Sequence, residues 1–491
     1  MDVVETTNGP VEGSVEGGVR RWMGIPYAAA PFGERRMRRP EPHPGWSDVR
    51  EATEAGPTVP KAPYRAPFDA LLPEPRIDGE ECLNLNIWSP SHDGLHPVLF
   101  WIHGGAFVNG SGVVPQYDGT AFARDGVVCV TINYRLGAEG FLDTGDEHTN
   151  VGLRDQIAAL EWVRENIARF GGDPAQVTIA GESAGAISVA CLLSSPLADG
   201  LFHRAISESG SGHIALTRPT ARRVTDEFAR RLGIEPTREA FAALDAQRLA
   251  QMVADVRLEM SLDPDPSVWG EAAQQGMANE PVVDGDVLPA LPIESIRAGA
   301  GSGVALLIGT NRDEFNFFTA PIGVADLITE EVMQQMVDAH GYDRDAVGVL
   351  GDGTPGEIVN RLITEWYFWI PSIRLAEAMG RNGSDVYLYE FAWATPMFDG
   401  KMGAGHALEL AFVFDTLGVE TDALLGPNPP QQLAVAMHRA WVDFITHGQP
   451  GWAPYDEGTR TTMVFDEESG PSDDPHQANR VAWDAHADRS S

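Results

Sequence analysis

Residues 170–186 read FGGDPAQVTIAGESAGA and place one serine, Ser183, between two glycines directly after an apolar run. The segment QVTIAG before the serine is typical of a buried β-strand, and the small-residue segment AGAISVACLL after it is typical of a helix. A sharp turn between a strand and a helix crowds its flanks, so glycine is favoured two residues before and two residues after it, as at Gly181 and Gly185. The stretch therefore predicts a strand–turn–helix unit that exposes Ser183 at a sheet edge.

Apolar runs and helical patterns alternate on both sides of this unit. HPVLFWIHGG (96–105) and GVVCVTINYR (126–135) predict buried strands, and further strands are predicted within 203–210 and 304–314. Between the strand within 126–135 and the strand before Ser183, a helix is predicted by apolar residues at helical spacing, namely Ile157, Leu160, Val163 and Ile167. This alternation predicts an α/β protein whose central sheet is mostly parallel and is covered by helices on both faces.

The remaining segments are more polar and helical. We predict helical insertions over the sheet at about 211–280 and 320–380, and a surface excursion in the proline-rich stretch 57–75. No linker divides the 491 residues, so we predict a single domain over 1–491 with helical cap insertions.

Composition excludes several classes of partner. The formal net charge is −36, from 35 basic and 71 acidic residues, which argues against nucleic-acid binding. No run of 18 apolar residues predicts a membrane span. The N-terminal segment MDVVETTNGPVEG lacks the features of a signal peptide, so a cytoplasmic location is expected. The three cysteines, Cys82, Cys129 and Cys191, are too few and too scattered for a disulfide framework or a zinc site.

The setting of Ser183 indicates nucleophilic catalysis. A serine hydroxyl needs a base to take its proton, and the oxyanion that forms on an attacked carbonyl needs hydrogen-bond donors. The segment HGGAF (103–107) follows its own predicted strand, so the amides of Gly104 and Gly105 are candidate donors. The amide of Ala184, next to the nucleophile, is the natural third donor. Taken alone, the motif also fits a glycine-rich turn with an idle serine.

Several motifs together resemble the type-B carboxylesterase family, which includes cholinesterases and bacterial p-nitrobenzyl esterases. The stretch from Phe170 to Gly185 is similar to the family's serine signature. The resemblance extends along nearly the whole chain, through GIPYAAAPFGERRMRRPEP (24–42), EECLNLNIWSP (80–90), WIHGGAF (101–107), NYRLGAEGFL (133–142), GLRDQIAALEWVRENIARFGGDP (152–174), PVVDGDVLP (281–289) and WVDFITHGQP (441–450).

The resemblance implies an α/β-hydrolase fold and a serine carboxylesterase that acts on small-molecule esters without a metal or an organic cofactor. It implies that Glu314, in GTNRDEF, is the triad acid and that His406, in GAGHALELAFVF, is the base. The chain order of serine, glutamate and histidine agrees with this assignment. The chain departs from the family pattern at Ala407, where glycine is common, and at Glu208, where glutamine is common.

Further site residues are expected from the same resemblance. Glu182 and Ser209 are similar to residues that line or support the site, although Glu182 also fits a plain turn carboxylate. The aromatic segments EFNFF (314–318), EWYFWI (365–370) and FAWATPMF (391–398) resemble pocket walls, and core packing is the alternative for any one residue. The residues expected to line the pocket are Phe315, Trp366, Trp369 and Met397, which would favour apolar or aromatic esters.

With an ordinary histidine pKa of about 6.5, activity is expected to rise through roughly pH 6 to 8, because only the neutral imidazole acts as a base. Two other readings of the function stay open. One is an acyltransferase, amidase or carbamate hydrolase on the same scaffold, and the other is a non-catalytic binding protein. The oligomeric state, monomer or dimer, is also open at this point.

Overall fold

The computed structural model describes residues 2–90, 94–342 and 344–487. Within these residues the chain forms fifteen β-strands, of which thirteen belong to one sheet and two pair separately. The strands are β1 (Asp2–Thr6), β2 (Gly9–Glu16), β3 (Val19–Pro26), β4 (Arg50–Glu51), β5 (Asn84–Pro90), β6 (His96–Ile102), β7 (Val128–Ile132), β8 (Gly172–Glu182), β9 (Arg204–Glu208), β10 (Leu216–Thr217), β11 (Val282–Val283), β12 (Ala305–Asn311), β13 (Val386–Phe391), β14 (Thr461–Phe465) and β15 (Gly470–Asp473).

Eighteen α-helices lie within the same described residues. They are α1 (Thr120–Arg124), α2 (Gly137–Phe141), α3 (Val151–Asn166), α4 (Ala184–Ser194), α5 (Arg218–Leu232), α6 (Arg238–Ala242), α7 (Ala246–Leu262), α8 (Pro266–Trp269), α9 (Ala272–Gln275), α10 (Pro292–Arg297), α11 (Asn316–Thr319), α12 (Glu330–Ala339), α13 (Pro355–Thr364), α14 (Ile370–Arg381), α15 (Leu410–Val413), α16 (Asp422–Leu425), α17 (Gln431–His447) and α18 (Gln477–Ala487). A π-helical turn, Glu365–Trp369, joins α13 to α14.

The large sheet has the strand order β1-β2-β3-β5-β7-β6-β8-β9-β12-β13-β14-β15, with β4 beside β2. Pairing is parallel from β7 through β14, and antiparallel on both sides of that block. Because parallel strands end at the same edge, the carboxyl ends of β6, β8, β9 and β12 lie side by side. The prediction of a mostly parallel central sheet is confirmed.

Strand β6 shows how the sheet separates two cores. Val98, Phe100 and Ile102 pack into a cluster with α3 and α4, whereas Leu99 and Trp101 pack into a cluster with α17. Successive side chains of a strand point to opposite faces, so an uninterrupted apolar run is what a strand covered by helices on both faces requires. The prediction that helices cover both faces is confirmed.

Helix α3 follows the predicted apolar stripe. Leu153, Ile157, Leu160 and Val163 are buried in the cluster that the helix shares with the sheet. The helix ends at Asn166, a 3₁₀ turn follows, and the chain then turns at Gly171, whose φ of 89° lies in the left-handed region that glycine adopts without strain.

The region 211–280 contains helices α5 to α9, and these build a separate apolar cluster around Phe228, Phe241 and Trp269. Strands β10 and β11 pair in parallel and bring the two ends of this region together. Within 320–380, α14 differs from the expectation of an insertion, because Ile373 and Leu375 belong to the cluster beneath the central sheet. The assignment of the whole chain to one domain stays a prediction.

The proline-rich stretch 57–75 is more than a surface excursion. Val59, Lys61 and Ala62 are buried, and the Glu74 side chain accepts hydrogen bonds from Asn109 Nδ2 (2.9 Å) and from the Gly110 amide (3.2 Å). These contacts attach the segment to the loop that follows β6. None of the helices in the described part of the chain combines the length and the apolar character needed to cross a membrane.

Candidate active site

Ser183 lies in a sharp turn between β8 and α4. Its φ and ψ are 55° and −120°, its amide donates to Glu208 O (2.9 Å), and its carbonyl accepts from the Ile187 amide (2.9 Å). The flanking glycines are required by close backbone approach. A Cβ on Gly181 would lie 2.5 Å from Gly185 C, and one on Gly185 would lie 2.9 Å from Ile102 C. The turn predicted from the glycine spacing is confirmed.

The loop of residues 103–107, here called the Gly104 loop, lies against this turn. A Cβ on Gly104 would be 3.2 Å from Ser183 Cβ. Three successive residues, Gly105, Ala106 and Phe107, have positive φ values of 108°, 54° and 59°. This backbone is strained for the two non-glycine residues, and such strain is concentrated at functional sites. The loop is therefore held close to Ser183 in an unusual conformation.

Several amides beside Ser183 lack a hydrogen-bond partner. In the described residues no acceptor is found for the amides of Gly104, Gly105 and Ala184, the three predicted donors. The amide of Ala106 is also unpaired, and sequence reasoning missed it because an alanine carries no sign of the positive φ. Unpaired amides around a hydroxyl form an environment suited to a developing negative charge.

His406 and Glu314 come together at the same sheet edge. His406 Nδ1 lies 2.6 Å from Glu314 Oε2, and a carboxylate oxygen can only accept, so Nδ1 carries the proton. Glu314 Oε1 accepts from Ser209 Oγ (2.5 Å) and from the Asn311 amide (2.8 Å). The predicted residue Ser209 thus fixes the carboxylate that orients the imidazole.

Backbone contacts hold the segments of Glu314 and His406 together. The Asp313 amide donates to Ala404 O and the Ala404 amide to Asp313 Oδ2, both at 3.0 Å, and the His406 amide donates to Glu314 O (3.2 Å). Ala407, the position where the family commonly has glycine, has a φ of 64°. The departure noted in the sequence therefore lies at a backbone position that favours glycine.

Glu182 contacts the other side of the imidazole. Its Oε1 lies 3.0 Å from His406 Nε2, and the Glu182 side chain is 5% exposed. No described residue forms a hydrogen bond with Ser183 Oγ, so in this arrangement Nε2 faces Glu182. The prediction that Glu182 supports the site agrees with this position.

The two carboxylates change the basicity of His406. Burial disfavours the charged imidazolium, but the charges and hydrogen bonds of Glu182 and Glu314 outweigh it, so the pKa of His406 is raised well above 6.5. The expected onset of activity therefore moves to a higher pH than the one that follows from the ordinary histidine pKa.

Two further buried acids, Glu208 and Glu409, interact electrostatically with Glu182 and were not predicted as site residues. Glu208 Oε1 accepts from Trp441 Nε1 (2.8 Å), and burial together with Glu409 raises the Glu208 pKa well above its usual range. Glu409 Oε2 accepts from Asn311 Nδ2 (2.5 Å), and burial, then Glu182 and Glu314, raise its pKa to about 8. Glu409 is therefore mostly protonated near pH 7, and the pKa of Glu208 is shifted in the same direction.

The aromatic rings nearest to His406 differ from those predicted. Phe318, Phe368 and Phe317 lie 5.3, 5.0 and 6.2 Å from the imidazole between ring centroids. Each of the four predicted pocket residues has other neighbours. Phe315 stacks at 5.5 Å on Phe318, Trp366 packs at 4.8 Å on His340, Trp369 packs at 5.7 Å on His476, and Met397 lies beside Gly426.

For Trp366 and Trp369 these contacts support the packing alternative. The assignment of Phe315, Trp366, Trp369 and Met397 to the substrate pocket stays a prediction, and Phe317, Phe318 and Phe368 are the rings found nearest to His406.

His103, the histidine of the Gly104 loop, is unsuited to act as a base. Its Nδ1 is 2.8 Å from Gly104 O, its ring stacks on Tyr134 at 4.5 Å, and burial lowers its pKa to about 3. Among the described residues, no group of three or more His, Cys, Asp or Glu side chains is arranged to hold a metal ion.

Comparison with known proteins extends this picture over the whole chain. The profile described as "Carboxylesterase family" matches residues 1–483. The para-nitrobenzyl esterase of Bacillus subtilis (strain 168) is 36% identical over 500 residues, 97% of this chain and 97% of the relative. The phenmedipham hydrolase of Pseudarthrobacter oxydans is 36% identical over 468 residues, 91% of this chain and 90% of the relative.

Solved structures agree with the sequence matches. The crystal structure of the Geobacillus stearothermophilus carboxylesterase superimposes with a TM-score of 0.85 at 40% identity, covering 98% of this chain and 99% of that one. A structure titled "PNB esterase" superimposes with a TM-score of 0.80 at 34% identity.

Proposed function

This chain belongs to the carboxylesterase family, has its α/β-hydrolase fold and hydrolyses carboxylic esters, and on that premise we propose that Ser183 is the nucleophile, His406 the base and Glu314 the acid. The observation that carries the proposal is the 2.6 Å contact of His406 Nδ1 with Glu314 Oε2, formed at the edge where Ser183 turns out of β8. The unpaired amides beside Ser183 support it further.

The reaction proceeds through an acyl-enzyme. His406 Nε2, unprotonated when Nδ1–H is held by Glu314, takes the Ser183 proton as Oγ forms a bond to the ester carbonyl carbon. The amides of Gly104, Gly105 and Ala184 hold the oxyanion, and Glu182 stabilises the imidazolium. The imidazolium then protonates the leaving alcohol. A water molecule then attacks the carbonyl carbon of the acyl-enzyme, with His406 again acting as the base, and the carboxylic acid is released from Ser183.

The substrates that fit this site are apolar or aromatic esters. Phe317, Phe318 and Phe368 give the surroundings of His406 an apolar, aromatic character. Two relatives are called para-nitrobenzyl esterase and phenmedipham hydrolase. Cytoplasmic location is the compartment that fits the three cysteines, which are all unpaired and buried.

The nucleophile is tested by covalent labelling. A serine-directed organophosphate is expected to add one equivalent to the protein and to abolish its hydrolysis of p-nitrophenyl acetate and butyrate in proportion. Intact-protein mass spectrometry measures the stoichiometry, and peptide mapping is expected to place the adduct on Ser183. An adduct elsewhere with full inactivation would reject Ser183. Preference for added alcohols or for amides as substrates would favour the acyltransferase or amidase alternative.

The raised pKa of His406 predicts a shifted pH profile. Because only neutral imidazole accepts the serine proton, kcat/KM should fall as pH drops through the pKa of His406, and that fall should be centred above pH 6.5. Glu182→Gln removes one of the two carboxylates, so its acidic limb should move down by roughly 1 pH unit or more. The measurement is kcat/KM for p-nitrophenyl butyrate from pH 5 to 9.5, corrected for uncatalysed release.

A matched control for this profile is Glu227→Gln, which changes a carboxylate on α5 that is paired with Arg230 and Arg231. The acidic limb of the pH profile of Glu227→Gln should coincide with that of the unmodified protein. An unshifted limb in Glu182→Gln would show that Glu182 does not set the basicity of His406.

A further inference from the structure

A small cavity adjoins the Gly104 loop. Its lining includes Ala106, Val253, Arg257 and Asn279. Val253 and Arg257 are four residues apart on α7, so they share one helix face. Ala106 directly follows two of the proposed oxyanion donors, Gly104 and Gly105, so the cavity and these donors share one loop.

Arg257 is the charged group of this cavity, and it has no counter-ion. The described part of the chain provides its guanidinium with neither an ion-pair partner nor a hydrogen-bond acceptor, although the side chain is half-buried. Buried arginines elsewhere in the described residues are paired, for example Arg135 with Asp155 at 2.6 Å and Arg480 with Asp474 at 2.6 Å. In a chain with 71 acidic and 35 basic residues, an enclosed arginine without a carboxylate is unusual.

Asn279 adds a second unsatisfied polar group. It is 2% exposed, and both of its side-chain polar atoms are buried without a hydrogen-bond partner. A buried amide without partners costs free energy unless a ligand satisfies it. The next residue, Glu280, forms no ion pair with Arg257, and burial raises its pKa well above the usual range.

Tyr64 connects this cavity electrostatically to the catalytic region. Burial and the Glu74 carboxylate raise the pKa of its hydroxyl, the Arg257 charge lowers it, and Glu182 raises it. The hydroxyl is therefore within electrostatic range both of Arg257 and of the residue before Ser183.

We infer that Arg257 and Asn279 form a carboxylate-binding subsite, so that this esterase prefers esters that also carry a free carboxylate. The inference rests on the proposed function of Ser183. A guanidinium can bind both oxygens of a carboxylate, and the amide of Asn279 can donate an additional hydrogen bond. The formal net charge of −36 repels anions, so a preference for an anionic ester must arise from a local cation.

Two pairs of substrates test the inference and separate the acyl side from the alcohol side. The acyl pair is the p-nitrophenyl monoester of adipic acid and the same ester ending in a carboxamide. The alcohol pair is para-acetoxybenzoate and para-acetoxybenzamide. In at least one pair, the unmodified protein should show a higher kcat/KM for the carboxylate member, and that pair identifies the side of the substrate that reaches Arg257.

In that pair, Arg257→Gln should lower kcat/KM for the carboxylate member by about 10- to 100-fold and change the neutral member by less than about threefold. Arg257→Lys keeps the charge but loses the geometry that binds both carboxylate oxygens. Its kcat/KM for the carboxylate member should therefore lie between the values of the unmodified protein and of Arg257→Gln. Arg248→Gln, an exposed arginine on the same helix, controls for the loss of one positive charge and should leave the ratio unchanged.

Equal loss on both members in Arg257→Gln would reduce Arg257 to a structural residue and overturn the inference. Equal turnover of both members by the unmodified protein would also overturn it and leave the proposed function intact. Failure of the unmodified protein to hydrolyse the neutral members and p-nitrophenyl butyrate would instead reject the proposed function.

Discussion

Replacing Ser183 by alanine is expected to lower kcat/KM for p-nitrophenyl butyrate by about 10⁴-fold or more. The substitution removes the oxygen that forms the acyl-enzyme, whereas the amides of the Gly104 loop and the His406–Glu314 pair remain. Alanine and serine have similar preferences for φ and ψ. The turn, in which Ser183 has a φ of 55°, should therefore persist in the variant, and the melting temperature should change little. Steady-state kinetics and thermal unfolding of the purified variant measure both quantities.

Ser207→Ala is the matched control for this variant. Ser207 lies on the neighbouring strand β9, and its Oγ is buried without a hydrogen-bond partner, so removing it leaves no other group unsatisfied. Its activity should stay within about threefold of the unmodified protein. Residual turnover of Ser183→Ala above about one percent, with contaminating esterase excluded by organophosphate treatment, would reject Ser183 as the nucleophile.

The turn at Ser183 could be predicted because its causes are local. An apolar strand, two glycines in close backbone contact and a small-residue helix lie within a few residues of one another in the chain. The coverage of both sheet faces by helices could also be predicted, since uninterrupted apolar runs such as β6 have no polar face to expose to solvent. Both inferences needed only short-range patterns and the preference of apolar groups for burial.

Pairing Glu314 with His406 required the family resemblance. The two residues are 92 positions apart, and neither has a local pattern that distinguishes it from a surface residue. Their contact depends on the match between the Asp313 and Ala404 backbones and on the left-handed conformation of Ala407. Such long-range geometry follows from the folded chain and leaves no periodic trace in the sequence.

The orientation of individual aromatic side chains could not be predicted from the sequence for a related reason. The one charged residue of the segment EWYFWI, Glu365, is itself buried and does not mark an exposed face, and the π-helical turn at 365–369 changes the register of side chains along the segment. Phe368 consequently faces His406, while Trp366 and Trp369 pack against other rings.

Buried charged groups were missed because charge alone favours an exposed position. Glu208 and Glu409 are fully buried, and their pKa values rise because burial penalises the ionised form. Arg257 lies on a helix whose other arginine, Arg248, is exposed, so the sequence does not distinguish a subsite residue from a solvated one.

Glu314→Gln should lower kcat/KM by about 10³- to 10⁴-fold through the tautomer of His406. Glu314 Oε1 accepts from Ser209 Oγ and from the Asn311 amide, and a backbone amide cannot turn away. The glutamine oxygen must therefore take the Oε1 position, which places its NH₂ group against His406 Nδ1. Nδ1 must then accept, the proton moves to Nε2, and the imidazole can no longer take the Ser183 proton. Steady-state kinetics with p-nitrophenyl butyrate at pH 7 measures the loss.

Glu409→Gln distinguishes this mechanism from the general cost of removing a buried acid. The pKa of Glu409 is raised to about 8, so at pH 7 the acid is mostly protonated and glutamine closely replaces it, with its oxygen still accepting from Asn311 Nδ2. Its activity at pH 7 should remain within about threefold of the unmodified protein. The tautomer itself is measurable at a pH above the pKa of His406, where the imidazole is neutral, because its ¹⁵N shifts should show the proton on Nδ1 in Glu409→Gln and on Nε2 in Glu314→Gln. Equal losses in the two variants with an unchanged tautomer would mean that Glu314 acts by packing alone, and would reject it as the acid that orients His406.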